Sequence, residues 1–110
     1  MSETITYDDF KKIELRIGKV KEAEAVQGSK NLIKMKVDIG SEERQIVAGI
    51  AKCYKPEEMV GKQIVVVANL APKIIRGFES KGMLLAATDT GEEIVLLTVD
   101  KDTNPGTTVQ

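Results

Sequence analysis

The stretch Ile13-Glu-Leu-Arg-Ile-Gly-Lys-Val-Lys-Glu-Ala-Glu-Ala25 decides how the chain folds. Ile13, Leu15 and Ile17 alternate with Glu14 and Arg16, which is the period of a half-buried strand. Gly18 follows, and the apolar phase then slips: Val20 is even, Ala23 and Ala25 are odd. A glycine beside a one-residue slip predicts a β-bulge in one long, bent strand.

Downstream, Gln27 to Asn31 reads as a turn. Ile33, Met35, Val37 and Ile39 then alternate strictly with Lys34, Lys36 and Asp38, giving a strand with a dry face and a wet, largely basic one. Gly40-Ser41 turns the chain into a third strand, Gln45 to Ile50. Pro56-Glu-Glu-Met-Val-Gly61 reads as a short helix, with proline in its first turn, acids at its positive end and glycine closing it. Ile64 to Ala68 and Met83 to Ala87 read as fully buried strands, and Asp89-Thr-Gly91 as a hairpin turn into Ile94 to Leu97. Asn104-Pro-Gly106 turns the tail into a last extended piece ending near Val109, and Tyr7 to Lys12 has room for one helical turn. The expected fold is all-β: an OB-type Greek-key barrel with one short helix and a C-terminal β extension, forming a single domain over residues 1–110.

Composition narrows the chemistry. There is no histidine and one cysteine, Cys53, so His-based catalysis and thiolate or imidazole zinc sites are excluded, as is an internal disulfide. Gly77 and Gly82 do not spell a phosphate-cradling motif, which would need a following helix. The acidic pairs Asp8-Asp9, Glu42-Glu43, Glu57-Glu58 and Glu92-Glu93 sit at turns or helix starts, and adjacent side chains on extended backbone point apart. No metal, cofactor or catalytic group is expected. No apolar run approaches the roughly 20 residues of a membrane span, and Met1-Ser-Glu-Thr is too polar for a signal peptide. A cytoplasmic protein without membrane partners is expected.

Net charge is −1 and the pI is near 5.5, below the value of about 9 usual for a nucleic-acid-binding domain. The charge is segregated, however. Residues 11–36 hold eight cations against three anions, whereas residues 89–110 hold five anions against one cation. Between the buried strand ending at Asn69 and the one starting at Met83, a loop carries Lys73, Arg76, Ser80 and Lys81. Cations and hydroxyls held between two core strands suit phosphate, and Lys30, Lys34 and Lys36 extend the set into one basic face. Met83 stands at the loop's mouth. The aromatics are only Tyr7, Phe10, Tyr54 and Phe78, too few for a row of base-stacking rings. If the ligand is a nucleic acid, this composition suits a folded RNA read by its shape and phosphates, with Phe78 the ring placed to touch it.

The same residues, in order, carry a family resemblance. It runs through Phe10-Lys-Lys-Ile-Glu-Leu-Arg-Ile-Gly-Lys-Val20, Val37-Asp-Ile-Gly40 and Arg44-Gln-Ile-Val-Ala-Gly-Ile50. It continues in Pro56-Glu-Glu-Met-Val-Gly-Lys62, Val67-Ala-Asn-Leu-Ala-Pro-Lys73 and Arg76-Gly-Phe-Glu-Ser-Lys-Gly-Met-Leu-Leu-Ala-Ala87. Together these resemble the tRNA-binding domain appended to methionyl-tRNA synthetases, a module also found free-standing and in the endothelial-monocyte-activating polypeptide family. Val26-Gln-Gly-Ser29 stands where many members carry a His-Pro pair and is similar to the synthetase-appended branch. The chain departs from the family at Lys30-Asn31-Leu32, where Asp-Lys-Leu is usual, and at Ile74-Ile75, where another cation is common.

The resemblance implies a non-catalytic homodimer that holds the outside of tRNA largely without regard to sequence. It would assist a methionyl-tRNA synthetase catalytic chain in cis or in trans. On this reading Lys73, Arg76 and Lys81 contact phosphates, Lys30 and Lys34 extend the surface, Asn31 and Ser80 donate hydrogen bonds, and Met83 packs against the ligand. The competing class is a dimeric protein-interaction or export-chaperone-like OB module, which a related branch of the fold represents.

Overall fold

One 11-residue strand, β1 (Leu15–Ala25), organises the structure. A computed structural model describes residues 3–110; Met1 and Ser2, the start of the polar segment noted above, lie outside the described residues. The other strands are β2 (Ile33–Asp38), β3 (Glu43–Ala48), β4 (Gln63–Val67), β5 (Lys73–Ile75), β6 (Phe78–Ser80), β7 (Met83–Leu84), β8 (Ala86–Thr88), β9 (Ile94–Leu96) and β10 (Thr108–Val109). Two short α-helices occur where one was expected: α1 (Tyr7–Lys11) and α2 (Pro56–Met59). The additional one, α1, is held by a capping box. Asp9 N donates to Thr6 Oγ1 (3.1 Å), and Thr6 N donates to the Asp9 carboxylate (3.4 Å).

The main sheet runs β3-β2-β1-β4-β7, antiparallel at every pairing, and β10 joins the start of β1. β1 pairs with β4 from Leu15 to Lys19 and with β2 from Lys19 to Ala25. The register shifts between Val20 and Glu22, so the bulge lies at Lys21, not at Gly18. Gly18 answers a different constraint. A Cβ there would stand 2.5 Å from Val37 Cγ1 and 3.1 Å from Val66 Cγ2, inside the bend where β2 and β4 converge. Past the β4 ladder, Val20 exchanges two backbone bonds with the turn after α2: Val20 N to Lys62 O (2.9 Å) and Gly61 N to Val20 O (2.8 Å).

The dry faces meet in a core of Val20, Ile33, Met35, Val37, Ile46, Ile64 and Val66. Met59, the one buried residue of α2, adds a fully buried side chain to it. That is why a four-residue helix holds its place: most helical stability in proteins comes from packing, not propensity.

The sheet curls until β3 meets the segment between β6 and β7. Lys81 N donates to Gln45 O (2.8 Å), Val47 N to Ser80 Oγ (3.0 Å) and Gln45 Nε2 to Glu79 O (2.9 Å). Arg44 Nη1 donates to the Ala68 carbonyl. The result is the expected OB-like barrel.

The region read as one buried strand, Met83 to Ala87, divides at Leu85. Leu85 N still donates to Val65 O (3.0 Å), while its carbonyl accepts from Leu97 N (3.1 Å). β7 therefore belongs to the barrel. β8, exposed throughout, leaves it to form a hairpin with β9, whose Ile94 and Leu96 pack against the core and whose Leu96 N donates to Tyr54 Oη (3.1 Å). This hairpin and β10 make up the C-terminal extension. Among the described residues no helix is long and apolar enough to cross a membrane.

Gly18→Ala tests the bend directly. The added methyl has to push Val37 or Val66 aside, and overpacking of this kind costs about 1–3 kcal/mol. Urea unfolding is expected to show a lower midpoint with an unchanged slope.

Candidate nucleic-acid interface

The segment read as a loop, 70–82, contains a β-hairpin. β5 and β6 pair Lys73 with Ser80, Ile74 with Glu79 and Ile75 with Phe78, leaving Arg76 and Gly77 as a two-residue turn. Both turn residues have positive φ, 53° and 82°, as the type I′ hairpin turn requires. Glycine accepts this freely, but an L-residue with a long side chain does not. Arg76 is therefore held in a disfavoured backbone conformation at the tip of an exposed hairpin. Strain of this sort persists where the surroundings impose it, and it clusters at functional positions.

Opposed residues of an antiparallel pair share a face. Ile75, Phe78 and Ser80 accordingly turn toward the barrel, and Ile74 and Glu79 turn to solvent. Two contacts and the seam bonds dock the hairpin. Lys34 Nζ lies 4.2 Å from the centre of the Phe78 ring, and Ser80 Oγ, besides receiving Val47 N, donates to Gly82 O (3.2 Å).

This geometry sorts the residues singled out from sequence. Lys73, Arg76 and Lys81 are exposed on or beside the hairpin, and Lys34 joins them through Phe78. Lys30 and Asn31 are exposed in the β1–β2 loop, where Asn31 O accepts from Ala51 N (2.8 Å). Met83, 47% exposed, opens onto an apolar groove of about 510 Å³ lined also by Leu70, Ala71, Lys73, Ile75 and Leu85. Ser80 is only 4% exposed, and its hydroxyl accepts from Val47 N and donates to Gly82 O, so it helps close the barrel. Phe78, expected to touch the ligand, is half-buried with Lys34 Nζ over its ring.

Two residues with structural roles here were not singled out from sequence. Arg44 bonds the Ala68 carbonyl and pairs with Glu42 at 3.4 Å. Asn69 pins the start of β1 to the end of β4: its Oδ1 accepts from Glu14 N (2.8 Å) and its Nδ2 donates to Lys12 O (2.6 Å). The only sequence signal for either was a polar residue next to a buried run.

A small OB-type barrel with a cationic hairpin at its seam falls in the class of nucleic-acid-binding modules. The family described as a putative tRNA binding domain matches residues 15–108, and the chain belongs to that family. It is a family of binding domains, not of catalytic ones. The chain is 58% identical over 105 residues to a methionine–tRNA ligase of Thermotoga maritima and 54% identical over 105 residues to one of Caldanaerobacter subterraneus. Each alignment covers 96% of this chain and 16% of the ligase, so the chain spans about a sixth of those proteins. Among solved structures it is similar to a MetRS related protein of Pyrococcus horikoshii, with TM-score 0.94, 41% identity, and 99% and 100% of the two chains covered. It is also similar to the chaperone CsaA of Bacillus anthracis, with TM-score 0.90, 33% identity, and 98% and 100% covered.

Replacing Arg76 by asparagine, which tolerates the left-handed region, is expected to raise unfolding stability by about 0.5 kcal/mol while lowering RNA affinity. Denaturant titration and RNA binding on the same samples would show whether stability and affinity move in opposite directions.

Proposed function

We propose that this domain grips the outside of folded tRNA through phosphate contacts, largely without regard to sequence, and so assists a methionyl-tRNA synthetase to which it is joined or docked. The observation that carries this is the strained Arg76-Gly77 turn, which presents an exposed arginine at the tip of a hairpin whose base carries Lys73 and Lys81. An arginine fork matches phosphate geometry, and a fixed tip places it before the ligand arrives. Lys30, Lys34 and Asn31 extend the contact, and Met83 packs against a ribose or base at the edge of the groove. Ser80 is left out of the contact set because its hydroxyl is already used.

A homodimer completes the proposal. Val95 of β9 and Leu97 just after it, 44% and 43% exposed, stand where a second copy would cover them. Cytoplasmic residence follows from the same role. In sedimentation, a Val95→Glu/Leu97→Glu variant is expected to run as a monomer at concentrations where the parent runs as a dimer.

The second reading, a protein-interaction or chaperone-like module, is favoured by the apolar groove around Met83 and by the likeness to CsaA. One titration separates the two. Fluorescence anisotropy of labelled folded tRNA at about 50 and 200 mM salt is expected to show steeply salt-dependent binding. Arg76→Ala should weaken binding to different tRNAs alike and flatten the salt slope by nearly one unit. Unchanged affinity in that variant would remove the hairpin from the mechanism. Displacement of the tRNA by an apolar peptide would favour the second reading.

A further inference from the structure

The bulge at Lys21 decides which charges face each other on the outer face of β1 and β2. The pairing of Val20 with Val37, continued without a bulge, would set Lys21 against Lys36 and Ala23 against Lys34. The observed register sets Glu22 against Lys36 and Glu24 against Lys34. Both pairs close: Glu24 Oε1 lies 3.1 Å from Lys34 Nζ, and Glu22 Oε2 lies 3.9 Å from Lys36 Nζ. With Gln45 these side chains line a polar groove of about 340 Å³. The groove lies on the strand face that OB barrels use for oligonucleotides.

As stabilisers these pairs do little. The Glu22 and Glu24 side chains are 74% and 67% exposed, and ion pairs so open to water add little to folding. Their effect on an anionic ligand is larger, because each carboxylate is already paired with an ammonium for which a phosphate would have to compete. Lys73 and Arg76, by contrast, have no carboxylate within ion-pair distance among the described residues.

We propose that Glu22 and Glu24 set the affinity and selectivity of the RNA face: in the free protein they occupy the phosphate positions on Lys36 and Lys34, and a bound phosphate has to displace them. This rests on the reading of the face as RNA-binding. The cations then act in two tiers. Lys73 and Arg76 make contact at once. Lys34 and Lys36 exchange one anion for another, which yields little unless the ligand is already anchored at the hairpin. A folded RNA that presents phosphates to both tiers together gains from the exchange. A flexible strand, which has to be ordered to reach both, gains less.

The test compares Glu22→Gln/Glu24→Gln with Glu93→Gln/Asp100→Asn, which changes net charge equally on the C-terminal segment. In anisotropy at about 50 mM salt, the first variant is expected to bind folded tRNA about 10-fold tighter than the parent, as two released pairs allow. Its preference for folded over unstructured RNA should fall, and the control should move affinity by no more than about twofold. Affinity equal to the parent's, or tightening matched by the control, overturns the proposal.

Retention on immobilised heparin is the second readout, since it needs only accessible cations. If no variant binds tRNA, later elution of Glu22→Gln/Glu24→Gln than of the control still supports the carboxylate role, and only the tRNA reading falls. Equal elution overturns the carboxylate role as well. The single variants Glu22→Gln and Glu24→Gln, each checked by thermal melting, keep the test open if the double variant does not fold.

Discussion

The structure depends on one constraint: a single strand has to serve as the edge of several pairings at once. β1 gives its first half to β4 and β10 and its second half to β2, and it bends between them. An unbroken flat strand can pair along both edges, but it would leave the sheet open instead of curling it back on itself. The extra residue at Lys21 lets the second half swing away, and the missing side chain at Gly18 lets Val37 and Val66 close over the inside of the bend. The buried side chains of β2, β4 and α2 then find one shared core. Bulges bend and twist a strand, and here the bend turns a sheet into a barrel.

The binding surface is a by-product of the closure. The hairpin that carries Lys73 and Arg76 is held to β3 by the bonds that join the two ends of the sheet, and Lys34 of β2 lies over its Phe78. A ligand-contacting element held by the fold's own seam is placed close to its bound position before RNA arrives. It also explains how a strained arginine is tolerated: a few seam bonds outweigh one unfavourable backbone conformation.

Sequence patterning reads well where burial is periodic. The alternation through Ile33 to Ile39 gave β2, and the proline, acids and glycine around Glu57 gave α2. It reads poorly where geometry depends on a partner. The phase slip in β1 was visible, but its position was not, because glycine signals both a bulge and a close approach, and Gly18 is the second. The β5–β6 hairpin was hidden because its strands are three residues long and its turn is Arg-Gly instead of the usual Asn-Gly. Met83 to Ala87 looked uniform because alanine suits a core and a surface equally, whereas the chain changes partner at Leu85. At the site, the cations of the hairpin were legible as a cluster. The burial of Ser80 and the capping of Phe78 by Lys34 were not, since both follow from a docking that no local pattern records. The resemblance to tRNA-binding domains gave the family, which the comparisons bear out, but it could not say which polar side chains were already occupied.

The seam itself is unlike the rest of the barrel. Elsewhere neighbouring strands are joined by backbone ladders; between β3 and the β6–β7 segment the join is one backbone bond, from Lys81 to Gln45, with the side chains of Ser80, Gln45 and Arg44 supplying the others, Arg44 through the Lys81 carbonyl. Side-chain bonds break one at a time, so the amides of Val47 and Lys81 should exchange with solvent ahead of those in β1. Lys34 lies on one side of the seam and Lys81 on the other. An RNA backbone laid across both would rivet the barrel shut, so the free and bound domains would differ more in stiffness than in shape.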